Sequence, residues 1–136
     1  MSAVDLAAAR KLKEGFRSSA YQDSTGRLKI GYGFSIADGI SKAAAGALLL
    51  AQVQERAKAL EEYEWFQGLD DMRASVFVDL SLDNGIAGLL HLTKTLASAG
   101  DKNWPATRDA LLDSKAAKAN PARFGVLAQL LLTGAA

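Results

Sequence analysis

Glu14-Gly15-Phe16-Arg17, Tyr21-Gln22-Asp23, Gly26 and Ile30-Gly31-Tyr32-Gly33 carry the most structural information in this chain. Gly15 is a helix stop, because glycine takes the left-handed conformation that closes helices. Glu14 therefore ends a first helix. Nine residues on, Asp23 opens the turn Asp23-Ser24-Thr25-Gly26, since aspartate bonds to the backbone two residues ahead. Leu28, Ile30 and Tyr32 then alternate with Lys29, Gly31 and Gly33, the period of a strand. Helix, turn and hairpin thus set two carboxyls in different surroundings. Such a difference lets one group deliver a proton while its neighbour stays ionised.

Working outward, Ser2 followed by Asp5 reads as a capping box for the first helix. The longest helix runs from Ser41 to about Tyr63, with Leu48, Leu49, Val53, Ala57 and Leu60 at helical spacing. Another spans Asp70 to Leu82 and stops at Asp83-Asn84-Gly85. Further helices fit residues 88–98, 104–113 and 121–132. Asn103 and Asn120 precede prolines in the pattern of a cap followed by a first-turn proline. The fold class expected is α+β, mainly α-helical with one small hairpin.

Length and composition set the bounds. The chain has 136 residues and is 49% hydrophobic, enough for one domain with a packed core. Its net charge of +1 gives no signal for nucleic acid. With no cysteine and a single histidine, His91, it has no disulfide and no ordinary zinc site or Ser-His-Asp triad. His91 sits among leucines and reads as a partly buried structural residue. Trp65 and Trp104 read as core. No cofactor is expected. No apolar run reaches the ~18 residues of a membrane span. The N-terminal residues lack a signal-peptide pattern, so cytoplasmic synthesis without stable membrane insertion is expected. Residues 1–60 hold nine Lys or Arg against five acids, whereas residues 61–83 hold seven acids against Arg73 alone.

The first block resembles the active-site segment of the phage-type lysozymes (muramidases), the family of the T-even coliphage lysozyme. That family shows Glu, eight residues, Asp, five residues, Thr, then Ile-Gly-x-Gly. This chain shows Glu14, eight residues, Asp23, five residues, Lys29, then Ile30-Gly31-Tyr32-Gly33. A second block is similar from Arg73 to Gly134, through Asp83-Asn84-Gly85, Trp104, Ser114-Lys115 and Asn120-Pro121-Ala122-Arg123. The resemblance implies a two-lobed, lysozyme-like fold with a cleft between the lobes. It divides a single domain, 1–136, into a hairpin lobe at about 13–45 and a helical lobe at about 65–136 plus the first helix, 3–12. A long helix joins the two.

The resemblance further implies hydrolysis of the β-1,4 bond between N-acetylmuramic acid and N-acetylglucosamine in peptidoglycan, with inversion. Glu14 is then the general acid, and the field at a helix C-terminus suits a carboxyl that must carry a proton. Asp23 assists the attacking water. Gly33, Leu82, Asp83 and Thr95 contact substrate, and Arg123 pairs with the catalytic glutamate. The expected protein is a monomeric endolysin acting on peptidoglycan glycan strands of the periplasmic wall, or within a virion, and reaching the wall through a holin or other carrier.

Several positions depart from the pattern. The family threonine, a hydroxyl that donates and accepts, is Lys29 here, and an ammonium only donates. Facing Glu14, its charge opposes the protonated acid and implies a weak muramidase with an acid-shifted optimum. Phe34 replaces a histidine, and Ala116, Ala117 and Ala119 replace Trp, Tyr and Gln. The rival reading is a lysozyme-fold module that binds peptidoglycan, or builds a phage or secretion machine, with little turnover.

Overall fold

The computed structural model describes residues 2–134. Among them are seven helices and one three-stranded antiparallel sheet, a mainly α-helical α+β fold of lysozyme type. The chain divides into two compact units, Met1–Ala47 and Leu48–Ala136.

The first unit holds α1 (Ala3–Glu14), β1 (Arg17–Gln22), β2 (Leu28–Gly31) and β3 (Phe34–Ser35). The expected domain division attached the first helix to the helical lobe; by its contacts, α1 falls in the first unit. The Ser2 side chain accepts from the Asp5 amide, and the Asp5 carboxylate accepts from the Ser2 amide at 3.2 Å, closing the capping box. Gly15 ends the helix at φ 69°. The strands follow in the order β1-β2-β3, with Tyr21 opposite Lys29 and Lys29 opposite Ser35. Apolar residues that a period-only reading turns inward stay outside: Leu12 is 89% and Phe34 62% exposed, and no α1 residue is buried. On β2 the alternation leaves Leu28 and Ile30 exposed and Lys29 half-buried.

In the second unit a hydrophobic core forms around Leu60, Phe77, Leu89, Leu111 and Leu131. Helix α2 (Lys42–Leu60) begins in the first unit and joins this core through Val53, Ala57 and Leu60, whereas Leu48 and Leu49 remain exposed. Helix α3 (Asp71–Leu90) is longer than expected. Asn84 and Gly85 leave helical geometry, Gly85 at φ 73°, yet the chain resumes the helix to Leu90. The expected helix at 88–98 is therefore divided between the end of α3 and α4 (Thr93–Gly100). Helices α5 (Trp104–Leu112), α6 (Lys115–Ala119) and α7 (Pro121–Thr133) complete the unit. Asn103 and Asn120 cap α5 and α7 through their side chains.

Arg73 fastens α3 to the end of α7. Its Nε donates to Leu131 O at 2.7 Å and its Nη2 to Leu132 O at 2.9 Å, while the guanidinium lies 3.9 Å from the centre of the Trp104 ring. Those carbonyls belong to the last turn of α7, where no helical donor remains for them. Trp65 and Trp104 pack against the core, as their apolar surface requires.

Candidate active site

Glu14 is the last residue of α1, placed there by the glycine that follows. Its carboxylate lies 3.4 Å from Arg10 Nη1, one turn earlier. Arg10 also reaches the β2–β3 turn, with Nε donating to Tyr32 O at 3.1 Å and Nη2 to Gly33 O at 2.9 Å. Gly33 is buried at φ 77°, and a Cβ there would stand 2.8 Å from Arg10 Nη2 and 3.0 Å from the Glu14 carboxylate. Gly33, expected as a substrate contact, is thus the floor over which Glu14 lies. Its glycine is required twice, by the backbone and by the carboxylate.

Gly33→Ala forces a left-handed alanine and displaces the Glu14 carboxylate. The clashing atoms are ends of flexible side chains, so the protein still folds. Misplacing a reacting group by about 1 Å costs up to ~10²-fold. A loss of wall lysis of that order is expected with a Tm within a few degrees of wild type, measured by lysis rate and thermal melt on one preparation.

Asp23 is held by its own turn. Its Oδ1 accepts from the Thr25 amide at 2.8 Å, the Thr25 hydroxyl at 2.7 Å and the Arg27 amide at 3.0 Å. The Thr25 hydroxyl, then the Arg27 amide, with a smaller contribution from the Lys29 charge, lower the carboxyl to about 2. Asp23 is therefore ionised at any pH well above about 2. Its second oxygen, Oδ2, faces Lys29 Nζ at 3.7 Å. This corrects the expectation for Lys29: its resolved partner is Asp23, and the argument for an acid-shifted optimum through Glu14 has no support in that contact.

In the second unit Arg123, near the start of α7, donates Nη2 to Asp79 at 2.9 Å and Nη1 to Asp83. Bonding to Asp83 first, then Asp79, raises its guanidinium above the ordinary value. Leu82 is half-buried and Asp83 exposed, both just before the break at Asn84. Thr95 is only 2% exposed, in the first turn of α4. With His91, Ala110, Asp113 and Ser114 it lines a cavity of ≈ 170 Å³. His91 is exposed there, not partly buried as its leucine neighbours suggested.

The expected site residues thus come together as three local groups: Glu14 with Gly33, Asp23 with Lys29, and Asp83 with Arg123. Sequence reasoning missed Arg10. Its available signal was the spacing of four from Glu14, which sets two helical side chains side by side. Among the described residues no cluster of His, Asp and Glu is placed to hold a metal ion.

The profile of the phage lysozyme family matches residues 11–123, a span that contains Glu14, Asp23, the glycine turn and Arg123. The chain belongs to the phage lysozyme family. Comparison with curated proteins gave no match. A phage lysozyme is a glycoside-hydrolase-type enzyme, and its substrate is the peptidoglycan of the cell wall. No helix among the described residues is long and apolar enough to cross a membrane.

Proposed function

We propose that this phage lysozyme is an endolysin-type muramidase that cleaves the β-1,4 bond between N-acetylmuramic acid and N-acetylglucosamine. The observation that supports this most strongly is the Glu14 carboxylate seated on Gly33 at the end of α1. A carboxyl there, with an ionised Asp23 on the same small unit, supplies the acid and the charged partner that glycoside hydrolysis needs. In this reading Glu14 protonates the leaving oxygen. Asp23 orients a water that attacks the opposite face of the sugar, giving inversion. In the second unit Leu82 and Asp83 contact the glycan and Arg123 holds Asp83 in place, the enzyme acts as a monomer, and no cofactor takes part.

The Lys29–Asp23 pair favours a second reading, a wall-binding module of low turnover. The turn uses all of Oδ1, so Oδ2 is the oxygen left for water, and it faces an ammonium. Lys29→Thr removes that competitor and restores a group that both donates and accepts. Lysis at neutral pH is expected to rise about 10-fold, less than the ~10²–10⁴-fold of a positioned acid or base, because Lys29 acts on the water only through Asp23. A Lys29→Thr protein slower than wild type at every pH shows that the lysine serves the mechanism. Turbidity loss of permeabilised Gram-negative cells, run beside a wall pull-down, separates the two readings: lysis supports the enzyme, and binding without lysis supports the module.

A further inference from the structure

The geometry points to Arg10 as the residue that positions Glu14, supplying from the same helix the guanidinium that fixes the carboxyl. This rests on the reading of Glu14 as the general acid. An exposed pair four residues apart on a helix is ordinarily loose, because both side chains rotate freely. Arg10 is not free to rotate. Each of its three guanidinium nitrogens has one partner: Nε takes Tyr32 O, Nη2 takes Gly33 O and Nη1 faces Glu14 Oε1. The two carbonyls come from a turn 22 and 23 residues away in sequence. The planar fork therefore locks the last turn of α1 to the β2–β3 turn and presents one edge to Glu14.

Little else makes that connection. No residue of α1 is buried, so apolar packing does not hold the helix end in place. Lys11 lies over the Tyr32 ring at 5.3 Å, and Phe16 meets the same ring at 5.5 Å. Both touch Tyr32 and neither bonds Glu14. Glu14 is the final helical residue, where helices fray, so its side chain needs an external restraint. The pairing also separates the two carboxyl oxygens. Oε1 faces the guanidinium, whereas Oε2 lies over the bare Cα of Gly33. A cation cannot face a donated proton, which assigns the proton to Oε2. After transfer, the guanidinium stabilises the carboxylate that remains.

The test uses wild type, Arg10→Met, Arg10→Lys, Glu14→Gln and the Arg10→Met/Glu14→Gln double variant, all assayed on one wall preparation. Arg10→Met is expected to lower kcat about 10–100-fold, as loss of orientation does, with KM changed less than about two-fold. Arg10→Lys, which keeps the charge but cannot span two carbonyls and a carboxylate, is expected to recover part of that loss. The double variant is expected to match Glu14→Gln, because Arg10 acts through Glu14. A kcat for Arg10→Met within about two-fold of wild type, beside an inactive Glu14→Gln, overturns the inference and leaves the acid assignment standing. So does a loss that is the same in the Glu14→Gln background. If Arg10→Met does not fold, Arg10→Lys carries the test, and a wild-type kcat there overturns the inference. A wild-type rate for Glu14→Gln overturns the acid assignment itself and this inference with it.

Discussion

Glu14→Gln is expected to reduce wall lysis about 10²–10⁴-fold, the contribution of a general acid, while leaving the protein folded. The amide keeps the shape of the side chain over Gly33. It removes the transferable proton and the negative charge facing Arg10. The structural cost is small, because an exposed helical pair of this kind contributes only ~0.3–0.5 kcal/mol. A melt within a few degrees of wild type, together with a collapse in initial lysis rate, identifies the loss as chemical. A folded Glu14→Gln protein that lyses walls at the wild-type rate removes Glu14 from the mechanism.

Asp23 carries the second large effect, and its geometry allows turn and charge to be separated. Asp23→Asn retains a carbonyl oxygen at the Oδ1 position and can still accept from Thr25 and Arg27. It loses only the charge. Lysis is expected to fall about 10²-fold, the lower end of an acid–base contribution. Asp23→Ala loses the turn bonds as well and is expected to be at least as impaired. Asp23→Glu or Asp23→Cys is expected to retain part of the activity, because orienting water needs an anion nearby more than a fixed proton donor. If Asp23→Asn lyses walls like wild type, the residue is a turn former and nothing more.

The pH dependence follows from the same bonds. The folded carboxyl is lowered from 3.8 to about 2, first by the Thr25 hydroxyl. A depressed carboxyl stabilises the fold above its unfolded value and loses that contribution as pH falls through the folded one. Asp23 therefore adds a pH-dependent stability that is complete above about pH 4 and lost towards pH 2. Melts of wild type and Asp23→Asn are expected to converge across that window. Any acid limb of the lysis profile above about pH 4 must come from another group.

Local signals in the sequence predicted local structure well. The Ser2–Asp5 box, the Gly15 stop, the Asp23 turn and the Asn103 and Asn120 caps each depend on residues two to four apart, which chain order displays. Tertiary facts were less legible. The period of α2 marks Leu48 and Leu49 as inward, yet only its last turns meet a core. His91 looks enclosed by leucines, but helix geometry turns those neighbours to other faces. Asn84-Gly85 signals a stop, and the chain breaks there without ending the helix, since Leu89 still has a core to join. Helix α6, an Ala- and Lys-rich segment of five residues capped by Ser114, was not expected from the sequence. Carboxylates Glu14 and Asp23 were visible through spacing. The bonds that fix Arg10 beside Glu14 were not, because they reach a turn more than twenty residues away.

The central claim, glycosidic cleavage that depends on Glu14, is tested most directly by the products released from purified peptidoglycan. The account predicts that wild type releases soluble fragments with new N-acetylmuramic acid reducing ends, which borohydride reduction and mass spectrometry identify, and that Glu14→Gln releases essentially none. Protein that binds the wall and yields no new reducing ends, or equal yields from wild type and Glu14→Gln, contradicts it.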